Sequence, residues 1–334
     1  VLLIMWRQFF GCQESNGRSW RPTGRVLVSR LTPGVGRLNE YVTAATSQFQ
    51  RIAVIAKPAA ADQLRQTLQI LQRVLMQRRL TLLPDQRSAA LLDLGAGMPI
   101  RELAHSCDLA VVVGGDGTLL SAARTMADHE VPLLGVNLGR LGFLVDINPT
   151  EVGETLSAVL DGQYDEDRRF LLSAELSGQA ATLALNDVVL HKWNIARMIE
   201  FETWIDGRFV NTQHSDGLIV STPTGSTAYA LSGGGPLLAP GLDAITLVPI
   251  CPHTLSNRPI VVHADSEIEI SVCGNTDPKD VRITCDGAAS LSLGQGDQLK
   301  IRRHPTRVRL LHPVGHDHFN VLRAKLGWGE LPKN

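Results

Sequence analysis

The chain is expected to fold as an α/β N-terminal domain followed by a mostly-β C-terminal domain, and three observations carry that expectation. Apolar β-branched runs alternate with amphipathic stretches from Arg51 to about residue 160, the pattern of parallel strands joined by crossover helices. Beyond about residue 165 the texture changes to short strand-like runs separated by polar turns. Within the first of these stretches, the run Leu109–Val113 leads directly into Gly114-Gly115-Asp116-Gly117-Thr118 and then Leu119-Leu120-Ser121-Ala122-Ala123. That order reads as strand, tight loop and helix.

The elements follow in order. Arg51–Ala56 is a buried-type strand by its β-branched run. Residues 60–79 place Leu64, Leu68, Leu71 and Leu75 on one helical face. A short strand around Leu80–Leu83, a helix near Ile100–Cys107 and the strand Leu109–Val113 continue the alternation. A helix over 117–128, the strand Leu133–Val136 and a helix at about Glu151–Asp161 complete it. Strand-like runs then occur at Leu171–Leu176, Thr182–Leu190, Met198–Ile205, Arg208–Thr212 and Gly217–Thr222. Asp206-Gly207 supplies a hairpin turn, and one helix starts near Gly225. Ile260–His263, Glu267–Cys273, Val281–Cys285, Gln298–Arg302 and Arg307–Leu311 continue the β style, and Phe319–Leu326 is expected as a short helix. The expected divisions are an extension over 1–49 (disordered or a non-native start), the α/β domain 50–164 and the β-rich domain 165–315. Residues 316–334 form a tail that packs back on the first domain.

Composition narrows the class. The 334 residues are 44% hydrophobic and 19% charged, as in an ordinary globular protein with room for two cores. Lys and Arg number 32 against 33 acidic residues, so no global field draws nucleic acid or an anionic membrane. Five cysteines without a CxxC pair are expected as reduced thiols of a cytoplasmic protein. The apolar start Val1–Trp6 is too short for a membrane span and lacks a charged leader. No later segment approaches 18 uninterrupted apolar residues, so a soluble protein is expected.

Three stretches carry chemistry. Glycines at 114, 115 and 117 permit positive φ and close approach of a ligand, and the following helix start would offer N–H groups to a phosphate. Asp116 is either a helix N-cap or, beside that phosphate, a carboxylate that holds a metal ion or serves as base to a hydroxyl. The segment Ser215–Pro236 is dense in hydroxyls and glycines around Thr227, Ala228, Tyr229, Ala230, Leu231 and Ser232. Capping accounts for one or two of those hydroxyls, and a flat base with its ribose would account for the rest. Asn186-Asp187 interrupts an apolar strand, and a buried polar pair must find partners. A structural hydrogen bond and a clamp on a ribose diol both fit. Neither a Walker A loop nor a GxGxxG after the first strand occurs, which excludes the usual P-loop and dinucleotide-oxidoreductase readings. His312, His316 and His318 lack Cys or Glu partners at metal-ligand spacing and read as surface or structural histidines.

Taken together, these stretches resemble the NAD kinase family over about residues 50 to 328. The match extends to His253-Thr254-Leu255-Ser256 and to Lys325-Leu326-Gly327-Trp328-Gly329. GGDGT alone is shared with diacylglycerol and sphingosine kinases, and the Asp216–Pro236 segment decides the family. The resemblance implies an active site in the cleft between the two domains, with the second domain binding NAD. It implies transfer of the γ-phosphoryl of ATP to the 2′-hydroxyl of the adenosine ribose of NAD, with a divalent metal, Mg by expectation, arriving with ATP rather than held by resident ligands. It implies Asp116 as general base, Gly114, Gly115 and Thr118 as phosphate loop, and Gly117 beside the dinucleotide. Asn186 and Asp187 would hold ribose hydroxyls, Thr227 to Ser232 the adenine half, and Phe143 an apolar wall. Asp216 would contact the nicotinamide half, with Arg197 and His214 also at substrate-contacting positions. A homo-oligomer (dimer or tetramer) is implied, with NAD and ATP as partners. Departures from the family pattern are Asp187 where Glu is frequent, His191-Lys192-Trp193-Asn194 for a His-Pro-Gly turn, and Ala288 after Cys285-Asp286-Gly287. A lipid kinase sharing GGDGT and a non-catalytic NAD(P)-binding sensor are the alternatives.

Overall fold

A computed structural model describes residues 48–57, 61–139, 142–145, 147–177, 179–193, 196–293 and 296–328. All belong to one unit, Ala45–Asn334. The expected N-terminal extension falls outside the described residues except for Gln48 and Phe49, and Phe49 is buried with its ring 6.3 Å from that of Tyr164.

The first stretch alternates strands and helices. These are β1 (Arg51–Ala56), α1 (Ala61–Gln77), β2 (Thr81–Pro84), α2 (Gln86–Leu91) and α3 (Ile100–Ser106). Next come β3 (Leu109–Gly114), α4 (Asp116–Met126), β4 (Leu133–Asn137) and α5 (Val152–Leu160). Strands β1 to β4 pair in parallel in the order β2-β1-β3-β4. Both faces of these strands are covered, which is why they read as unbroken apolar runs. Ile52, Val54, Val111 and Val113 meet Leu64, Leu68, Leu71 and Leu75 of α1 and Leu156 of α5. Their alternate neighbours Ala53, Ile55, Ala110 and Val112 meet Leu103 of α3 and Leu119 and Ala123 of α4.

The remaining stretch is largely antiparallel. It runs β5 (Asp165–Leu176), β6 (Thr182–Ala184), β7 (Asp187–Lys192), β8 (Ile199–Ile205), β9 (Arg208–Ser215) and β10 (Gly217–Ser221). A 3-10 turn, Thr224–Thr227, precedes the single helical turn α6 (Tyr229–Ser232). Then follow β11 (Ala244–Ile250), β12 (Ile260–His263), β13 (Ile268–Val272), β14 (Val281–Cys285), β15 (Ala289–Ser292), β16 (Gln298–His312) and α7 (His318–Leu326). Six strands, in the order β12-β11-β10-β7-β14-β15, form a wholly antiparallel sheet. The long β16 joins the first sheet instead: it is parallel to β4 through Leu310 and Leu311 and antiparallel to β5 and β13. Beyond β13 that sheet continues through β8 to β9. Leu172, Phe201, Val188, Leu218 and Ile283 fill the core that the β-rich strands enclose.

Three differences from the sequence reading have physical causes. Helix α2, not anticipated, is nucleated by Asp85, whose carboxylate accepts the Ser88 N–H at 2.7 Å as N-cap. Strand β11 was obscured by Pro249, which argues against a strand interior. Pro249 lies beyond the Ala244–Leu247 stretch that pairs with β12, so its missing N–H leaves no ladder bond unmade on that side. Finally, Thr182–Leu190 is not one strand. It breaks at Leu185–Asn186, where the chain passes from the first sheet to the second.

Candidate functional site

The loop after β3 differs in detail from its expected form. None of Gly114, Gly115 and Gly117 has positive φ. Gly114 is instead required by packing, because a Cβ there would lie 2.6 Å from Thr118 Oγ1. At Gly115 and Gly117 an added Cβ would meet nothing within 4 Å, so the backbone is open to approach. Thr118 turns inward, and its Oγ1 is buried without a hydrogen-bond partner among the described residues. Gly115, not Asp116, is the N-cap of α4. The Asp116 carboxylate reaches away from its own helix to the 142–145 turn, accepting the N–H groups of Phe143 (2.9 Å), Leu144 (3.2 Å) and Val145 (3.2 Å). Gly142 lies against it, and a Cβ there would be 2.1 Å from Oδ1. The Phe143 ring lies 5.3 Å from Lys325 Nζ of α7.

A second constellation forms where the chain changes sheets. At Leu185–Asp187 the backbone N–H groups have left one ladder before the next is complete, and Asp286 supplies the missing acceptors. Its carboxylate takes the N–H of Leu185 at 3.0 Å, of Asn186 at 2.7 Å and of Asp187 at 3.2 Å. Arg124 of α4 donates to the same carboxylate at 2.5 Å, and the Asp286 side chain is fully buried. In return the Asp286 N–H donates to the Asp187 carbonyl at 2.9 Å. Asp187 is itself buried, and its carboxyl is pushed up to about 7, first by burial and then by the Asp286 charge. Asn186 Oδ1 is buried with no hydrogen-bond partner among the described residues.

Asn186, Asp187 and Asp286 line a cavity of about 690 Å³. Asn186, Asp187, Asp216, Ala228 and Tyr229 are the sequence-predicted residues it brings together. Asp216 there forms an ion pair with Lys192 at 2.7 Å. Of the neighbouring predicted residues, Ala230 is buried in a small core with Val189, Ile219 and Val248. Thr227, Leu231 and Ser232 are not in the cavity lining. The hydroxyls of the preceding segment are committed to the fold. Ser221 Oγ donates to the Asn186 carbonyl at 3.3 Å and Thr222 Oγ1 to the Leu185 carbonyl at 2.6 Å. Ser226 Oγ donates to Pro223 and Thr227 Oγ1 to Thr224. Ser221 and Thr222 thus fasten the segment to the Asn186 turn, while Ser226 and Thr227 brace it internally. Gly225 belongs to the same fastening, since a Cβ there would lie 2.2 Å from the Asn186 carbonyl oxygen.

Two family models match the chain, the ATP-NAD kinase N-terminal domain over residues 52–164 and the ATP-NAD kinase C-terminal domain over residues 185–312. The NAD kinase of Nitrosococcus oceani is 51% identical over 291 residues, which span 84% of this chain and 97% of that protein. That of Chromohalobacter salexigens is 50% identical over the same shares. The chain belongs to the NAD kinase family. Its activity is ATP-dependent phosphorylation of NAD to NADP. Among solved structures, yeast NADH kinase complexed with NADH has the same fold, with a TM-score of 0.77 at 24% identity, covering 87% of this chain and 94% of that one. An NAD kinase from Archaeoglobus fulgidus in complex with ATP gives 0.67 at 26% identity, covering 83% and 98%.

Two other residues expected from the sequence stand apart from the cavity lining. Arg197 is exposed, 3.9 Å from Asp280. His214 on β9 faces Glu200 across 3.3 Å with its side chain 58% exposed. Asp116 and Phe143 also lie outside that lining, and helix α4 links them to it through Arg124. Asp286 was the residue that sequence reasoning missed: Asp-Gly after a strand signals a hairpin, and nothing in it marks a carboxylate serving residues a hundred positions earlier. Trp193 and His191 also line the cavity, their rings 6.1 Å apart. Their only signal was the altered turn at 191–194. Among the described residues no group of three or more His, Cys, Asp or Glu could hold a metal ion, and no helix is long and apolar enough to cross a membrane.

Proposed function

We propose that this NAD kinase transfers the γ-phosphoryl of ATP to the 2′-hydroxyl of the adenosine ribose of NAD, with Asp116 as general base. One observation supports the reading most: the polar pair Asn186-Asp187, the Ala228-Tyr229 turn and Asp216 converge on one cavity from separate parts of the sequence. Asn186 offers a donor and an acceptor and Asp187 two acceptor oxygens, the set a ribose diol needs. The adenine half lies along Thr227 to Ser232 and the nicotinamide half toward Asp216, with Arg197 and His214 at the margin and Phe143 and Gly117 beside the reacting ribose. The open backbone at Gly115 and Gly117 supports a phosphate chain over the start of α4, and Gly114 with the inward Thr118 shapes that loop. The complex of the Archaeoglobus enzyme with ATP supports ATP as donor.

In the step itself Asp116 takes the proton of the 2′-hydroxyl, the new O–P bond forms to the γ-phosphorus, and the bond to the β-phosphate oxygen breaks to release ADP. A divalent ion enters with ATP as part of that substrate and neutralises the phosphate charge. The site occupies the cleft between the parallel strands and the antiparallel sheet. The four free cysteines among the described residues fit a reducing compartment, the cytoplasm. Exposed Ile260 and Val261 on edge strand β12, with Leu255, support a homo-oligomer. Asp116→Asn tests the base: turnover is expected to fall roughly 10²–10⁴-fold while NAD still binds. Near-normal NADP formation by that variant overturns the assignment, and tight NAD binding by the unaltered protein without any NADP would favour a sensor.

A further inference from the structure

Asp286 presents one buried carboxylate to four donors. Its Oδ1 accepts from Asn186 and Asp187 and its Oδ2 from Leu185 and Arg124. A carboxylate offers about four lone-pair sites, so none is left over. The turn that places it is tightly specified, with φ of 50° at Asp286 and 64° at Gly287. Arg124 approaches from α4, the helix that opens with Asp116. At 1.5 Å per residue the two lie roughly 12 Å apart along one rigid axis. Replacing a buried ion pair by apolar side chains is often neutral for stability, so stability alone is a weak reason to keep charges here. Geometry is a stronger one. The pair joins the helix that begins with Asp116 to the turn carrying Asn186 and Asp187, which are separated by seventy residues of chain.

We propose that Arg124 and Asp286 act as a positioning clasp that fixes the Asn186–Asp187 turn relative to helix α4 and so sets how the ribose meets its base. The clasp rests on the substrate and base assignments proposed above. Neither residue takes part in bond making. Arg124 is the adjustable half, because it holds no backbone group of the turn, whereas Asp286 also completes that turn's hydrogen bonding.

The test uses the full chain with Arg124→Lys and Arg124→Met, read by circular dichroism, by kcat, and by KM for NAD and for ATP across pH 5.5 to 8.5. Displacement by an ångström can cost as much as 10²-fold in rate. Both folded variants are expected to lose roughly tenfold or more in kcat/KM for NAD, while KM for ATP stays within about twofold. Arg124→Met is further expected to move the pH midpoint of KM for NAD upward, because Asp286 then acts on Asp187 uncompensated. Arg124→Lys, keeping the charge but not the guanidinium reach, is expected to leave that midpoint in place. A merely structural pair would lower the melting temperature and leave kcat/KM and the midpoint of the folded protein unchanged; that result overturns the clasp. Arg124→Lys keeps the test decisive if Arg124→Met does not fold. Failure of the base assignment is read separately, as turnover retained by Asp116→Asn.

Discussion

Gly142 and Asp116 are in such close contact that a single methyl decides their geometry. Gly142→Ala would put a carbon 2.1 Å from Oδ1, so the carboxylate must turn from its three N–H donors or the 142–145 turn must shift. Turnover is expected to fall at least tenfold with an unchanged circular-dichroism spectrum, measured as initial NADP formation. Asp187 sets a pH dependence. Burial, and after it the Asp286 charge, pushes its folded carboxyl up to about 7, well above the ordinary carboxylate range. From about pH 4 to 7 the unfolded chain therefore gives up this proton while the folded chain keeps it. Stability falls as pH rises through that window and levels off above 7. Urea unfolding should show this site removing about 2–3 kcal/mol between pH 5 and 7, and Asp187→Asn should abolish that contribution. The two roles could be weighed from sequence at Asn186-Asp187 because a polar pair inside an apolar run is conspicuous. Its shifted titration was not legible, since both causes, burial first and then the Asp286 charge, arise only in the fold.

At the scale of elements, the break between β6 and β7 shows where local reading ends. Leu183 to Leu190 has the composition of one continuous strand. What divides it is Asp286, which replaces ladder partners at Leu185–Asp187. The hydroxyl-rich segment was legible as unusual, but the task of Ser221 and Thr222 was not, because their partners are carbonyls of that same distant turn. Thr222 is the central fastening, donating to the Leu185 carbonyl at 2.6 Å and accepting from the Gly225 N–H at 3.2 Å. Thr222→Val keeps the shape and strands both groups, at a cost of about 1–3 kcal/mol. Chemical denaturation of the purified variant checks the figure, and an unchanged midpoint would show that the fastening is dispensable.

For the whole molecule, the alternation of strands and helices made the parallel β1–β4 arrangement legible, because each strand is covered on both faces by its own neighbours in sequence. The return of β16 to the edge of β4 was not legible, since its partner lies more than 160 residues earlier and its own alternation fits either sheet. Val308 and Leu310 of β16 enter the core beneath α3 and α4, and Leu311 enters the one beneath α1 and α5. A fragment of residues 48–164 therefore lacks side chains from both cores. It is expected to show no cooperative thermal transition by circular dichroism; a sharp transition near that of the full chain would show that the parallel strands are self-sufficient.

The same strand has a consequence for synthesis. During translation the Leu133–Leu134 end of β4's outer edge, beyond the bridge that Val136 makes to Ile147, has no partner until Leu311 has been made, 177 residues after Leu134. At roughly 5–20 residues per second this leaves an apolar edge open for roughly ten to thirty-five seconds on each ribosome. An open edge of that kind pairs readily with another chain. Nascent chains of this kinase should therefore be most vulnerable to association, and most dependent on chaperones, in the interval between β4 and β16, and a stalled ribosome within it would expose that edge for longer.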